Sequence, residues 1–277
     1  VTPFRDGKVD EKALKELVEF HIKNGTTALV PCGTTGESAT LSYTEHDKVI
    51  ELTVQFAKGR IPVIAGTGSN STEEAIMLTR HAKKVGADAS LQVSPYYNRP
   101  TQKGLFLHFK AIAEAVDIPI IIYNIASRTG VNIEPETFAK LAQVKNIIGV
   151  KESSGSLEQM SRIRRMCPKD FLLISGDDAL TLPVMAIGGV GIISVVANII
   201  PRDVSEMYRA FEKGDIKKAE GLHYKMLDLV KAIFIETNPI PVKTAMGLMK
   251  LCGPDLRLPM CEMLPENKER LVRALKD

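Results

Sequence analysis

The sequence lacks most of the signatures that would place it among metal, nucleotide or membrane proteins. Its four cysteines, Cys32, Cys167, Cys252 and Cys261, form no C-x-x-C pair and no spacing suited to zinc or a disulfide framework, so reduced thiols in a cytoplasmic protein are expected. The five histidines, His21, His46, His81, His108 and His223, fall mostly in helical segments without H-E-x-x-H or another paired spacing, and no metal is expected. No Walker motif and no G-x-S-x-G elbow occur. Gly66-Thr67-Gly68-Ser69-Asn70-Ser71 opens like a dinucleotide fingerprint but has no third glycine.

An excess of one charge is also missing. The 36 basic and 33 acidic residues are spread along the chain for a net charge of +3, without the Lys/Arg stripe that a nucleic-acid backbone requires. No basic stretch followed by an apolar run opens the chain at Val1, so no secretory signal is read. One charge-free stretch, Ala179 to Pro201, is long enough to raise the question of a membrane span, which needs about 20 residues. Pro183, Gly188, Gly189, Gly191, Asn198 and Pro201 break it into a short helix, a turn and a strand over Ile192 to Val196, and no membrane partner is expected.

What is present is a regular alternation. The 277 residues, 44% hydrophobic and 25% charged, can build one large core, and α/β barrels run to roughly 250 residues as one unit. From Asp10, Leu14, Leu17, Val18 and Ile22 share a helical face until Gly25. Strand signals at Thr27–Cys32, Pro62–Ala65, Ala89–Val93, Pro119–Tyr123, Ile147–Val150, Phe171–Ser175 and Ile192–Val196 then alternate with helical stretches. A first strand ending at Val1 and Thr2 brings the count to eight, which predicts an α/β fold of the (β/α)8 barrel class. An open doubly wound sheet is the alternative, because alternation does not give strand order. Beyond Pro201 only helices are predicted, and the organisation expected is a barrel over 1–213 with a helical extension over 214–277 packed on it.

In such a barrel the chemistry sits just after the strands. Lys151 is the only lysine abutting the end of a strand-like run. Burial there favours the neutral amine, the form a Schiff-base nucleophile needs. Tyr97, Tyr123 and Thr34 end three other strands and suit a hydroxyl relay, although each alone also suits a core or turn position. Arg128, in Ser127-Arg128-Thr129-Gly130, could clamp a carboxylate or lie on the surface. Thr34 and Thr35 before Gly36 can offer hydroxyls and backbone N–H groups to a second carboxylate.

Gly33-Thr34-Thr35-Gly36-Glu37-Ser38, Ser94-Pro95-Tyr96-Tyr97-Asn98, Tyr123-Asn124 with Ser127-Arg128-Thr129-Gly130, Val150-Lys151-Glu152 and Asn238-Pro239-Ile240-Pro241-Val242-Lys243 together resemble the dihydrodipicolinate synthase family from end to end. The resemblance implies a TIM barrel with a C-terminal helical extension. It implies condensation of pyruvate with L-aspartate 4-semialdehyde to 4-hydroxy-tetrahydrodipicolinate in diaminopimelate and lysine biosynthesis. Lys151 would form the imine, Tyr123 would exchange protons, and Thr34 and Tyr97 would complete the relay, with Tyr97 reaching a neighbouring subunit. Thr35 would hold the pyruvate carboxylate, Arg128 that of the semialdehyde, and the backbone at Gly176 and Ile193 would shape the pocket.

The resemblance calls for no metal or organic cofactor, and for a homo-oligomer, a tetramer built from two dimers. Ser38, Ala39, His46, Asn70, Glu74 and Tyr96 align with an inhibitory lysine site, although Tyr43 stands where some inhibited members have histidine. Ala126 takes a place where the family often has proline. Sibling N-acetylneuraminate lyases and keto-deoxy sugar acid aldolases share the lysine and tyrosine, but Arg128 favours an acceptor with its own carboxylate. A catalytically silent keto-acid or amino-acid binding barrel is the non-enzyme alternative.

Overall fold

A computed structural model describes residues 1–276. A short hairpin, β1 (Phe4–Arg5) and β2 (Lys8–Val9), leads into α1 (Glu11–Lys23) and α2 (Tyr43–Ala57). Then follow β3 (Ile64–Gly66), α3 (Thr72–Lys84), β4 (Ala89–Val93), α4 (Gln102–Ala115), β5 (Ile120–Asn124), α5 (Ala126–Thr129) and α6 (Pro135–Leu141). After β6 (Ile147–Glu152), α7 (Leu157–Met166), β7 (Leu172–Ser175) and α8 (Thr181–Ala186), the chain is helical: α9 (Pro201–Glu212), α10 (Ile216–Ala232), α11 (Ile240–Leu248) and α12 (Pro265–Ala274). These elements fall into two compact units, Val1–Val63 with Ser194–Asp277, and Ile64–Ile193.

The helices begin where side chains can satisfy their first N–H groups. Asp10 accepts from the Ala13 amide at 3.0 Å, and Ser42 and Glu45 cap α2 reciprocally. Ser71, Thr101, Ser156 and Asp215 cap α3, α4, α7 and α10 in the same way. In the first unit Val18, Leu29, Ala57 and Val63 form one buried cluster. There the helical extension packs α10 on α9 and α12 on both α10 and α11.

The second unit is built on a five-stranded parallel sheet in the order β3-β4-β5-β6-β7, each strand followed by a helix. Ile120 and Ile122 of β5, Val150 of β6 and Leu173 of β7 pack against Leu105, Phe109, Phe138, Leu141, Met160 and Ile163 of the helices. Each such side chain contributes about 1.5–3 kcal/mol by leaving water. Side chains alternate across a strand, so Tyr123 and Lys151, next to Ile122 and Val150, face away from that helix layer. On the buried polar side of β4 the Gln92 amide nitrogen donates to the hydroxyls of Thr67, Thr79 and Ser90 at 2.8–2.9 Å.

Three expected strands are shorter than read from the sequence. The Thr27–Cys32 segment bridges Val63 only at Leu29, and Cys32 takes a φ of 57° that ends any ladder. At the other end Ile192 bridges Ser175, but the Ser194 hydroxyl then accepts from the Ala197 amide and turns the chain into a short helical turn over Val196–Asn198. Val1 and Thr2 join no ladder; the Thr2 hydroxyl donates instead to the Gly36 carbonyl at 2.7 Å. The charge-free stretch from Ala179 is broken as expected, and among the described residues no helix is long and apolar enough to cross a membrane.

Candidate active site

Parallel pairing sets Tyr123 of β5 directly beside Lys151 of β6, with Ile174 of β7 on the other side. The Lys151 ammonium nitrogen lies 4.1 Å from the centroid of the Tyr123 ring. Both side chains are buried. Removal from water lowers the Lys151 pKa from 10.5 to about 8; Asp178 pulls it back up and the positive charge of Arg128 pushes it down. The π face of Tyr123, at the same nitrogen, favours the cation. The result is an amine that loses its proton at about pH 8, held on a strand.

The surroundings leave the lysine little freedom. A Cβ on Gly176 would lie 1.9 Å from the Ser153 hydroxyl and 2.9 Å from Lys151 Cε, so only glycine allows this approach. The Gly176 amide donates to the Glu152 carbonyl at 2.9 Å, and the Ile193 amide to the Ser175 carbonyl at 3.0 Å. The Tyr123 carbonyl receives both the amide and the hydroxyl of Ser94 at 3.0 Å, which fixes the strand end beneath the ring.

Arg128 is exposed on the one-turn helix α5, closed by Gly130 at a φ of 74°. The segment beyond is tied to the sheet by a buried network. Asn124 accepts from the Ile133 amide at 3.0 Å and donates to Asn132 and Glu152 at 2.9 and 3.0 Å. Glu152, fully buried, also accepts from the Ser154 amide at 2.6 Å and from Gln159 at 3.2 Å. Arg99 adds a bond to the Gly130 carbonyl at 2.8 Å. Tyr97, in contrast, is 91% exposed, with a φ of 70°.

The structure therefore gathers Lys151, Tyr123, Gly176, Ile193, Arg128 and Tyr97 in the Ile64–Ile193 unit, where Lys151 and Tyr123 touch. Thr34 and Thr35 belong to the other unit. There the Thr34 carbonyl accepts from the Glu37 amide at 3.1 Å, and Thr35 Oγ1 accepts from the Asn238 amide group at 2.9 Å. Glu37 is buried with its carboxylate 2.5 Å from the ammonium of Lys243, which lies 4.0 Å from the Phe4 ring centroid. Burial pushes the Lys243 pKa down while Glu37 pushes it up.

Of the residues aligned with a lysine site, Asn70, Glu74 and Tyr96 cluster in one unit. Asn70 donates to the Tyr96 carbonyl at 3.2 Å, and Ser69 donates to Glu74. Burial and the Glu74 charge raise the Tyr96 pKa, and a hydrogen bond with Ser69 opposes them. Ser38 and Ala39, in the turn before α2, and buried His46, in the first turn of α2, lie in the other unit.

Sequence reasoning placed Asp178, Asn124 and Glu152 just after strands but gave no role to Asp178, the carboxylate that acts on Lys151, or to the Asn124–Glu152 network. Their signal was a carboxylate or amide at the carboxyl end of a parallel strand, where a buried polar group needs a partner.

Comparison with known proteins agrees with this geometry. The family described as the dihydrodipicolinate synthetase family matches residues 1–277. The 4-hydroxy-tetrahydrodipicolinate synthase of Endomicrobium trichonymphae is 62% identical, covering 100% of this chain and 95% of that protein. The crystal structure of dihydrodipicolinate synthase from Aquifex aeolicus superposes with a TM-score of 0.98 at 55% identity, covering 100% of this chain and 94% of that one. That of the Cyanidioschyzon merolae protein, solved with lysine bound, has a TM-score of 0.97 at 43% identity, covering 100% and 95%. The fold class read from the sequence, an α/β barrel with a C-terminal helical extension, is the one shared with these structures.

Proposed function

The chain belongs to the dihydrodipicolinate synthetase family, and from that premise we propose that it condenses pyruvate with L-aspartate 4-semialdehyde to 4-hydroxy-tetrahydrodipicolinate. It is a lyase of diaminopimelate and lysine biosynthesis. One observation carries the chemistry: a buried lysine with its pKa lowered to about 8, against a tyrosine ring at 4.1 Å.

The neutral Lys151 amine attacks the C2 carbonyl of pyruvate; proton transfer to the oxygen and loss of water leave an imine. Loss of a methyl proton gives the enamine, whose carbon attacks the aldehyde of the second substrate. The semialdehyde's own amine then displaces Lys151 and closes the ring. Each step needs a proton delivered or removed, the role assigned to Tyr123, with Thr34 and Tyr97 completing the relay. Thr35 takes the pyruvate carboxylate, Arg128 takes that of the semialdehyde through a bidentate pair, and the Gly176 and Ile193 backbone shapes the pocket.

The exposure of Tyr97, 91% in a single chain, supports its contribution to a neighbouring subunit and hence a functional dimer, assembled in pairs into a tetramer. The Asn70–Glu74–Tyr96 cluster supports lysine binding as an inhibitor, together with Ser38, Ala39 and His46. A cytoplasmic enzyme with its barrel over 1–213 and extension over 214–277 completes the reading.

The test is to compare kcat/KM for semialdehyde and N-acetylmannosamine in a pyruvate-consuming assay, with borohydride trapping of pyruvate on the enzyme. A large preference for the semialdehyde and a label on Lys151 are expected. Preference for the sugar would move the chain to the lyase branch, and an unlabelled Lys151 would end the covalent mechanism.

A further inference from the structure

Asn238 and Lys243 stand at the two ends of Asn238-Pro239-Ile240-Pro241-Val242-Lys243, which the reaction as described leaves without a task. Both reach the Gly33–Ser38 turn. Lys243 fixes its far end through Glu37, whose other carboxylate oxygen accepts from the Arg257 amide at 3.2 Å. Thr2 holds the Gly36 carbonyl in between. Asn238, 5% exposed, donates to Thr35 Oγ1 at 2.9 Å.

We propose that Asn238 is a positioning residue for the reaction: by donating to Thr35 Oγ1 it leaves the Thr35 hydroxyl proton to point at the pyruvate carboxylate. The inference rests on the reading that Thr35 receives that carboxylate. A hydroxyl has one proton and two lone pairs. With a lone pair occupied by the Asn238 N–H, the proton turns to another acceptor, and a carboxylate is the strongest one available. The clamped turn keeps Thr35 from rotating its backbone out of that arrangement. An acceptor at position 238 would reverse the polarity, taking the Thr35 proton for itself and presenting a lone pair to an anion.

The isosteric Asn238→Asp replacement separates this role from packing. The KM for pyruvate is expected to rise about 10- to 100-fold, as for loss of a hydrogen bond to a charged group, with kcat changed less than about 3-fold. Borohydride trapping at saturating pyruvate still labels Lys151 fully. Asn238→Ala, which only deletes the donor and is available if the aspartate variant does not fold, raises KM by a smaller factor, about 3- to 10-fold. In a Thr35→Val background neither change adds more than about 2-fold, because the hydroxyl they act on is gone.

A pyruvate KM unchanged in both Asn238 variants overturns the proposal. So does a full penalty that persists with Thr35→Val, which would assign the effect to charge or packing. If Thr35→Val alone leaves the pyruvate KM untouched, the reading of Thr35 fails first and takes this proposal with it.

Discussion

Tyr123 and Lys151 are register partners on adjacent parallel strands, and the lysine nitrogen stands 4.1 Å from the centre of the tyrosine ring. The contact is made by strand pairing rather than by loops, so it is present before any substrate arrives. On the proposed mechanism, a nucleophile and its proton carrier held this way lose little entropy on reaching the reactive geometry.

With Lys151 titrating near 8, its neutral fraction rises about tenfold per pH unit below that value and levels off above it. The rate of imine formation at limiting pyruvate should follow the same curve. Single-turnover trapping with borohydride between pH 6 and 10 checks this. A midpoint near 10.5, the ordinary lysine value, would refute the effect of burial.

The same shift carries a stability consequence. The unfolded chain holds the lysine proton up to 10.5 and the folded chain only to about 8, so the folded state is penalised below 8 and the penalty disappears as pH rises to 10.5. Lys151→Met should therefore stabilise the protein at pH 7 by on the order of 2–3 kcal/mol, with the gain shrinking toward pH 10.5. Denaturant unfolding of both proteins at the two pH values is the measurement.

Gly176→Ala should be far more damaging than Gly155→Ala. A Cβ at 176 would collide with Ser153 Oγ and crowd Lys151 Cε, whereas at 155 nothing lies within 4 Å and the cost is only the strain of a φ of 78°. A loss of about 100-fold in kcat/KM is expected for the first, the usual result of displacing a reacting group by about 1 Å, and less than about threefold for the second. Steady-state kinetics on both variants decide it.

Arg128→Ala should split the two substrates. Loss of a bidentate carboxylate contact lowers kcat/KM for the semialdehyde by about 100-fold or more. Pyruvate trapping on Lys151 keeps its extent, because the nucleophile is built on β6 and not on the α5 turn. Parallel measurement of trapping and turnover would show the split; equal losses in both would place Arg128 in pyruvate binding.

Much of this arrangement could be read in the residues. Ser156 marks the start of the Leu157–Met166 helix and apolar spacing its length. Lys151 and Tyr123 were legible because a polar side chain closing an apolar run marks a strand end. The Phe4–Val9 hairpin was missed although Asp6-Gly7, both with positive φ, is a strong turn signal. Residues 27–32 and 192–196 carried strand composition, but backbone turns at Cys32 and Ser194 cut each to one bridge. The Glu37–Lys243 pair, more than two hundred residues apart in the chain, has no local signature; only tertiary packing brings it together.

Arg128 sits on a single exposed turn capped by Gly130, whereas Lys151 sits within strand β6, so on the proposed mechanism the acceptor and the nucleophile are held by different elements. Within that turn Ser127 and Arg128 are exposed, while Thr129 is buried and donates to the Ile125 and Val131 carbonyls. For a designer seeking new carbon–carbon bonds, positions 127 and 128 are the ones to vary: on the proposed mechanism the electrophile is rewritten there while the strand that bears the enamine is kept.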